Sequence, residues 1–132
     1  MKTDEEFGFR SKESSALQSY CNPCRLAAAR ERNLRNVYGI TPAQYDALLE
    51  MQGGACAICG GQPYEGRSFA VDHDHRCCPG QKSCGKCLRG LLCQECNMAL
   101  GKVRDSKQLL LNAIRYLDSG HLDLYLLLGE ER

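Results

Sequence analysis

Tryptophan is absent from the 132 residues and phenylalanine occurs only three times, so a core built on large aromatic side chains is excluded. Long apolar runs are also lacking. The strongest near the C-terminus, Leu122 to Leu128, is interrupted by Asp123 and is far too short to span a bilayer. The first ten residues, MKTDEEFGFR, contain no apolar stretch of the secretory type. The expectation is a cytoplasmic chain whose thiols stay reduced. Neither sign of charge prevails, with 17 basic against 16 acidic residues, so bulk charge says nothing about partners. There is no low-complexity run and no internal repeat beyond a recurring Cys-x-x-Cys.

What is present is cysteine. The hydrophobic share of 43% counts 10 of them, which leaves a modest stock of ordinary apolar residues for one small domain. Small cores of this kind are stapled by disulfides or by metal, and reduced thiols select metal. Four pairs have the spacing: Cys21/Cys24, Cys56/Cys59, Cys84/Cys87 and Cys93/Cys96. Two intervening residues let one turn present two thiolates to one ion, and two such turns complete a tetrahedron. Cys56, Cys59, Cys93 and Cys96 are assigned to a structural zinc, which clamps the strand carrying Asp72 and His73 to the helix beginning near Cys96. Cys77, Cys78, Cys84 and Cys87 lie close enough to fill a second zinc, although adjacent Cys77 and Cys78 strain simple chelation. Cys21 and Cys24 either contribute to that second ion or form a half-site without its partner pair.

Helix-forming residues run from Cys24 to Val37 and end at Gly39. Within them Arg25, Arg30, Arg32 and Arg35 meet only Glu31 in opposition, a local basic face suited to an anionic partner or simply to solvent. Thr41-Pro42-Ala43-Gln44 is a helix start: a cap, a proline at the first helical position and a glutamine three residues after the cap. The expected helix is Pro42 to Gln52, with Tyr45, Leu48 and Leu49 inward. Ser68 to His73 reads as a short strand with Phe69 and Val71 on one face, and Leu88 to Leu92 pairs back to it. Cys93 to Leu100 opens a helix. Leu109, Leu110, Ala113, Ile114 and Leu117 have helical spacing over Asp105 to Leu117 and read as core or dimer packing. A short helix over Leu122 to Leu128 closes the chain, and His121 reads as exposed.

Asp72-His73-Asp74-His75 concentrates two carboxylates and two imidazoles in a chain with only one other histidine, His121. Strand alternation places Asp72 and Asp74 on one face and His73 and His75 on the other unless the strand ends in between, and a turn after His73 could bring both sets around one pocket. Phosphodiester hydrolysis needs a base for water, which imidazole suits. It also needs charge stabilisation and help for the leaving oxygen, which a hard divalent ion held by carboxylate and amide oxygens supplies. Asn97, next to Cys96, offers such an amide. The competing reading is a zinc site of mixed His/Cys ligation, which ten thiols make unnecessary.

Tyr38-Gly39-Ile40-Thr41, Gly54-Ala55-Cys56-Ala-Ile-Cys59-Gly60, Val71-Asp72-His73-Asp74-His75 and Leu88-Arg89-Gly90-Leu91-Leu92-Cys93-Gln-Glu-Cys96-Asn97 together resemble the recombination endonuclease VII family, among the HNH or His-Me finger nucleases, over about Tyr38 to Gly101. The resemblance implies an α+β fold: a small zinc-stapled ββα-metal core at 38–104, flanked by an N-terminal extension at 1–37 and a C-terminal helical segment at 105–132. It implies a metal-dependent DNA endonuclease in which Asp72 and Asn97 hold Mg²⁺ or Mn²⁺, His73 activates water and His75 binds or orients the scissile phosphate. The four core cysteines match the family's zinc ligands. Arg89 lies beside the cleft and, with Arg32 and Arg35, is a candidate DNA contact.

Two departures stand out. Leu100 occupies a position where the junction-cutting prototype has an acidic residue, and the cysteine-rich loop is longer than the minimal core. Phe7 to Cys24 resembles, more loosely, the second half of a zinc ribbon seen in phage members. The expected partner is DNA, with no membrane. A homodimer through the flanking helices and contact with phage packaging proteins stand beside a monomer as alternatives, and junction resolution, packaging and attack on foreign DNA as alternative roles. The rival from another class is a non-catalytic zinc-scaffolded nucleic-acid-binding module.

Overall fold

The computed structural model describes residues 21–120 together with Glu6 and Gly8. The expected closing helix over Leu122 to Leu128, His121, and most of the ribbon-like N-terminal segment lie outside the described residues. Two compact units divide the chain, Met1–Gln94 and Glu95–Arg132.

In the first unit, helix α1 spans Asn22–Asn33, with Cys21 as its cap and a proline in its first turn. The continuous helix expected to Val37 changes character at Leu34. A π-helical turn, Leu34–Tyr38, follows and ends at Gly39 in the left-handed region, φ 69°. Widening the turn sends Leu34 into the core, where it is 4% exposed. Helix α2 is Pro42–Met51, one residue shorter than its expected span. Its capping box is complete: the Thr41 amide donates to Gln44 Oε1 at 2.8 Å and the Gln44 amide to Thr41 Oγ1 at 3.2 Å. Tyr45 is buried as expected, whereas Leu48 and Leu49 are only half-buried. The Tyr45 hydroxyl donates to the Phe69 carbonyl at 3.0 Å, tying α2 to the chain entering the hairpin.

Strand β1, Ala70–His73, pairs antiparallel with β2, Leu88–Leu92. Strict alternation fails at the end of β1, where the register shifts between Asp72 and His73. Such an irregularity re-aims side chains, and Val71, Asp72 and His73 are all buried in succession. Gln52 closes the outer side of β2. Its Nε2 donates to the Leu91 carbonyl at 2.9 Å and its Oε1 accepts from the Leu91 amide at 2.8 Å. A Cβ on Gly90 would lie 3.0 Å from Gln52 Oε1, so the glycine admits this side chain. The core is thin: Leu34, Ile40, Tyr45, Phe69, Val71, Leu91 and Leu92, with Cys21, Cys56 and Cys93.

Helix α3, Gln94–Lys102, follows the hairpin in the chain, completing a ββα order. In the second unit, Arg104 and Asp105 take positive φ of 54° and 53°. Ser106 then caps α4, Lys107–Asp118. Leu109, Leu110, Leu111, Ile114 and Leu117 of α4 are exposed among the described residues, which removes the core alternative of the expected core or dimer packing. The structure is thus α+β, four α-helices with a two-stranded sheet among the described residues, and no helix of the described residues is long and apolar enough to cross a membrane.

Candidate metal centres and hydrolytic site

None of the ten cysteines is in a disulfide. Four ligands around zinc at about 2.3 Å define a tetrahedron whose edges are about 3.8 Å, so sulfur separations distinguish metal sites from disulfides at about 2.05 Å. Cys56, Cys59, Cys93 and Cys96 form one group with all sulfurs within 4.8 Å of one another, and Cys59 and Cys93 are 3.7 Å apart. Burial raises the Cys56 thiol. Backbone amides of Cys59, Cys93 and Ile58 outweigh it and bring the group down to about 6, a sulfur prepared to act as thiolate. The Ala57 amide bonds the Leu91 carbonyl at 3.1 Å, which seats this turn on β2.

Cys77, Cys78, Cys84 and Cys87 form the second group, again with all sulfurs within 4.8 Å. Cys77 and Cys84 are 4.0 Å apart, Cys77 and Cys78 3.9 Å, and Cys84 and Cys87 3.9 Å. Adjacency of Cys77 and Cys78 therefore does not prevent a tetrahedral edge between them. Side-chain hydrogen bonds from Cys87, Cys78 and Cys84 push the Cys77 thiol up to about 12, while the Lys86 amide leads in lowering Cys84 to about 7. Both groups fit zinc by donor chemistry and by spacing. Cys21 and Cys24 differ: their sulfurs are 2.9 Å apart, too close for a tetrahedral edge and too far for a bond. They belong to no larger group of candidate ligands among the described residues.

Asp72 and His73 are the buried polar residues of the described core, 7% and 4% exposed. Asp72 is held by Arg89 from the adjacent strand, with Nε 2.7 Å from Oδ2 and an Nη 2.9 Å from Oδ1. This two-point, charge-assisted contact already sets a cation against the buried Asp72 carboxylate. Sequence reasoning set Arg89 beside the cleft and missed this pairing.

His73 Nε2 lies 3.1 Å from the Cys78 carbonyl oxygen. A carbonyl only accepts, so this contact calls for the hydrogen on Nε2, and the tautomer that carries it there has its lone pair on Nδ1. Its ring centroid is 4.7 Å from that of His75, in keeping with a shared face for the two histidines. Asp74, which has no expected chemistry, has a structural task. It accepts from the Arg76 amide at 2.9 Å and from the Arg76 guanidinium at 3.3 and 3.1 Å. These bonds, side chain first and backbone second, hold its carboxyl below the usual carboxylate range.

Asn97 is half-buried and lies on α3. Arg35 pairs with Glu31 at 2.9 Å, and Arg30 pairs with Asp46 at 2.7 Å and sits over the Tyr45 ring at 5.0 Å. Part of the basic helix is thus satisfied within the protein, while Arg32 is exposed.

The sequence profile described as recombination endonuclease VII matches residues 31–119. The chain belongs to the recombination endonuclease VII family. It is 38% identical to the Gene 59 protein of Mycobacterium phage D29 over 94 residues, covering 70% of this chain and 52% of that protein. The Gene 59 protein of Mycobacterium phage L5 matches at 36% over the same length and the same shares. The chain therefore spans about half the length of the curated relatives it matches. Among solved structures, the ββα-Me type II restriction endonuclease Hpy99I aligns at 21% identity, with 89% of this chain and 60% of that one covered and a TM-score of 0.36.

Proposed function

We propose that this endonuclease VII family chain is a metal-dependent DNA endonuclease of the HNH or His-Me finger type. The observation that carries the reading is the buried Asp72-His73 pair at the irregular end of β1. Burial without a task is costly for such groups, and these two are a hard anionic ligand and a base. In this reading His73 Nδ1 takes the proton of the attacking water. Asp72 and Asn97 hold Mg²⁺ or Mn²⁺, which supplies charge stabilisation to the phosphate and leaving oxygen. His75 orients the scissile phosphate, and Arg89, Arg32 and Arg35 contact the DNA backbone. Zinc on the cysteine groups is structural.

A plasmid-nicking assay in Mg²⁺, Mn²⁺ and EDTA tests it. Nicking that depends on the divalent metal is expected. Cleavage in no metal, with binding that persists in EDTA, would leave the non-catalytic zinc-scaffolded module instead.

Arg89 has two tasks in this reading. Both Asp72 oxygens face its guanidinium, so a metal ion at Asp72 would compete with Arg89 for the carboxylate, and an Arg89 displaced by it would be available to a phosphate. Hydrogen bonds to charged groups contribute about 1.5–3 kcal/mol. Arg89→Gln is therefore expected to bind Mn²⁺ about tenfold tighter, by titration calorimetry, while binding DNA more weakly. Unchanged or weaker Mn²⁺ binding would refute the competition.

A further inference from the structure

The loop from Cys77 to Cys87 joins the two strands, and little apolar packing is available to it: Cys77, Pro79, Gly80, Gln81, Lys82, Cys84 and Lys86 are exposed. Its backbone is nevertheless anchored at both ends and in the middle. The Cys77 and Cys78 amides both bond the Asp74 carbonyl at 3.0 Å, and the Asp74 amide bonds the Cys87 carbonyl at 2.9 Å. The Ser83 amide bonds the Val37 carbonyl at 2.7 Å. Gly39 and Gly85 meet backbone to backbone, a Cβ on Gly85 falling 2.5 Å from the Gly39 carbonyl oxygen. Between these anchors four sulfurs gather within 4.8 Å of one another, three of their separations at 3.9–4.0 Å, close to the edge of a zinc tetrahedron. One of the four residues, Cys78, also turns its carbonyl onto His73 Nε2 at 3.1 Å.

We infer that the loop cysteines Cys77, Cys78, Cys84 and Cys87 bind a second zinc ion whose task is to position His73, by holding the Cys78 carbonyl against Nε2 and so presenting Nδ1 to water. The inference rests on the proposed role of His73 as the base. Cys78 is a positioning residue: its sulfur goes to the metal and its carbonyl to the imidazole. The carbonyl orients the ring and selects its tautomer, as the partners of metal-bound histidines do for their ligands. Loss of the loop ion leaves the polypeptide anchors in place but frees the segment between them, and the ring with it. Displacing a reacting group by about 1 Å costs on the order of 100-fold in rate. The signature of this arrangement is a fall in kcat with DNA affinity and the core zinc retained.

The test combines metal stoichiometry, nitrogen NMR and kinetics. In wild-type protein reconstituted with ¹¹³Cd, separate tetrathiolate resonances are expected for the core and the loop. A resonance from the core alone would overturn the inference. Two-bond ¹H–¹⁵N spectra of zinc-loaded protein should show His73 held as the Nε2–H tautomer. In Cys84→Ser, zinc content should fall by one equivalent, the His73 signal should move to an average of both tautomers, and kcat should fall about 100-fold with duplex affinity unchanged.

Cys84→His, which restores a zinc ligand, should recover all three readings, and it serves as the test if the serine variant does not fold. A loop-depleted protein that keeps the tautomer and kcat would overturn the inference. Metal content and tautomer are read without DNA, so they stand apart from the fate of the nuclease reading. Cleavage surviving in His73→Ala would remove His73 as the base and leave those two measurements intact.

Discussion

Replacing His73 with alanine is expected to lower the rate of DNA cleavage by about 10²- to 10⁴-fold, the usual contribution of a positioned general base. Zinc content and DNA affinity should persist. Only 4% of His73 is exposed, so truncation also opens a small void and strips the Cys78 carbonyl of its donor. His73→Gln separates these effects, because its amide can still donate toward that carbonyl but cannot accept a proton from water. Both variants should be slowed to this extent in single-turnover nicking, with the glutamine variant the more stable to heat. Turnover within about tenfold of wild type in either variant would refute the assignment, since tenfold is only about 1.4 kcal/mol of barrier.

Removing the core zinc is expected to abolish the cooperative fold of the first unit. Structural zinc contributes about 10–16 kcal/mol in small metal-folded peptides, against a total stability of about 5–15 kcal/mol for an ordinary domain. Here three of the ten buried core residues are cysteines, and two of them, Cys56 and Cys93, are in the core zinc group. Cys93→Ser should therefore lose the dispersed amide spectrum of the folded state. Exhaustive chelation of wild-type protein should do the same, with refolding on return of zinc. A sharp thermal transition retained after the metal is shown to be gone would count against zinc as the staple.

The sequence was most legible where chemistry is local. Thr41, Pro42 and Gln44 write a helix start in four residues, and α2 begins where they place it. Cysteine pairs carry their own spacing rule, and the core group of four assembles as the spacing implied, while the loop group, for which Cys21 and Cys24 stood as alternative ligands, gathers from Cys77, Cys78, Cys84 and Cys87. Leu88 to Leu92 and the end of β1 likewise pair as their apolar residues suggested. What escaped depends on groups that residue types do not announce. The Cys78 carbonyl that faces His73 is backbone, identical in every residue. The Asp72-Arg89 pair joins positions 17 apart and the Gln52-Leu91 bonds positions 39 apart, through long polar side chains whose reach no periodicity encodes. Strand alternation alone could not tell that Asp72 and His73 are both buried, because a shifted register replaces the regular pleat where the strand ends. The π-helical turn at Leu34–Tyr38 was invisible to helix propensity, which weighs residues and not the width of the turn they make.

Gln52 has one more consequence, for how the protein behaves in a crowded solution. A two-stranded hairpin presents a bare outer edge, and such edges invite another chain to pair with them. At Leu91 both the amide and the carbonyl on that edge are already engaged by the Gln52 carboxamide, which imitates one peptide unit of a third strand. Gln52, joined by the Ala57 amide on the same carbonyl, thus does at Leu91 the work that larger sheets assign to a covering helix or a bulge, leaving no free amide or carbonyl there for a second chain to pair with.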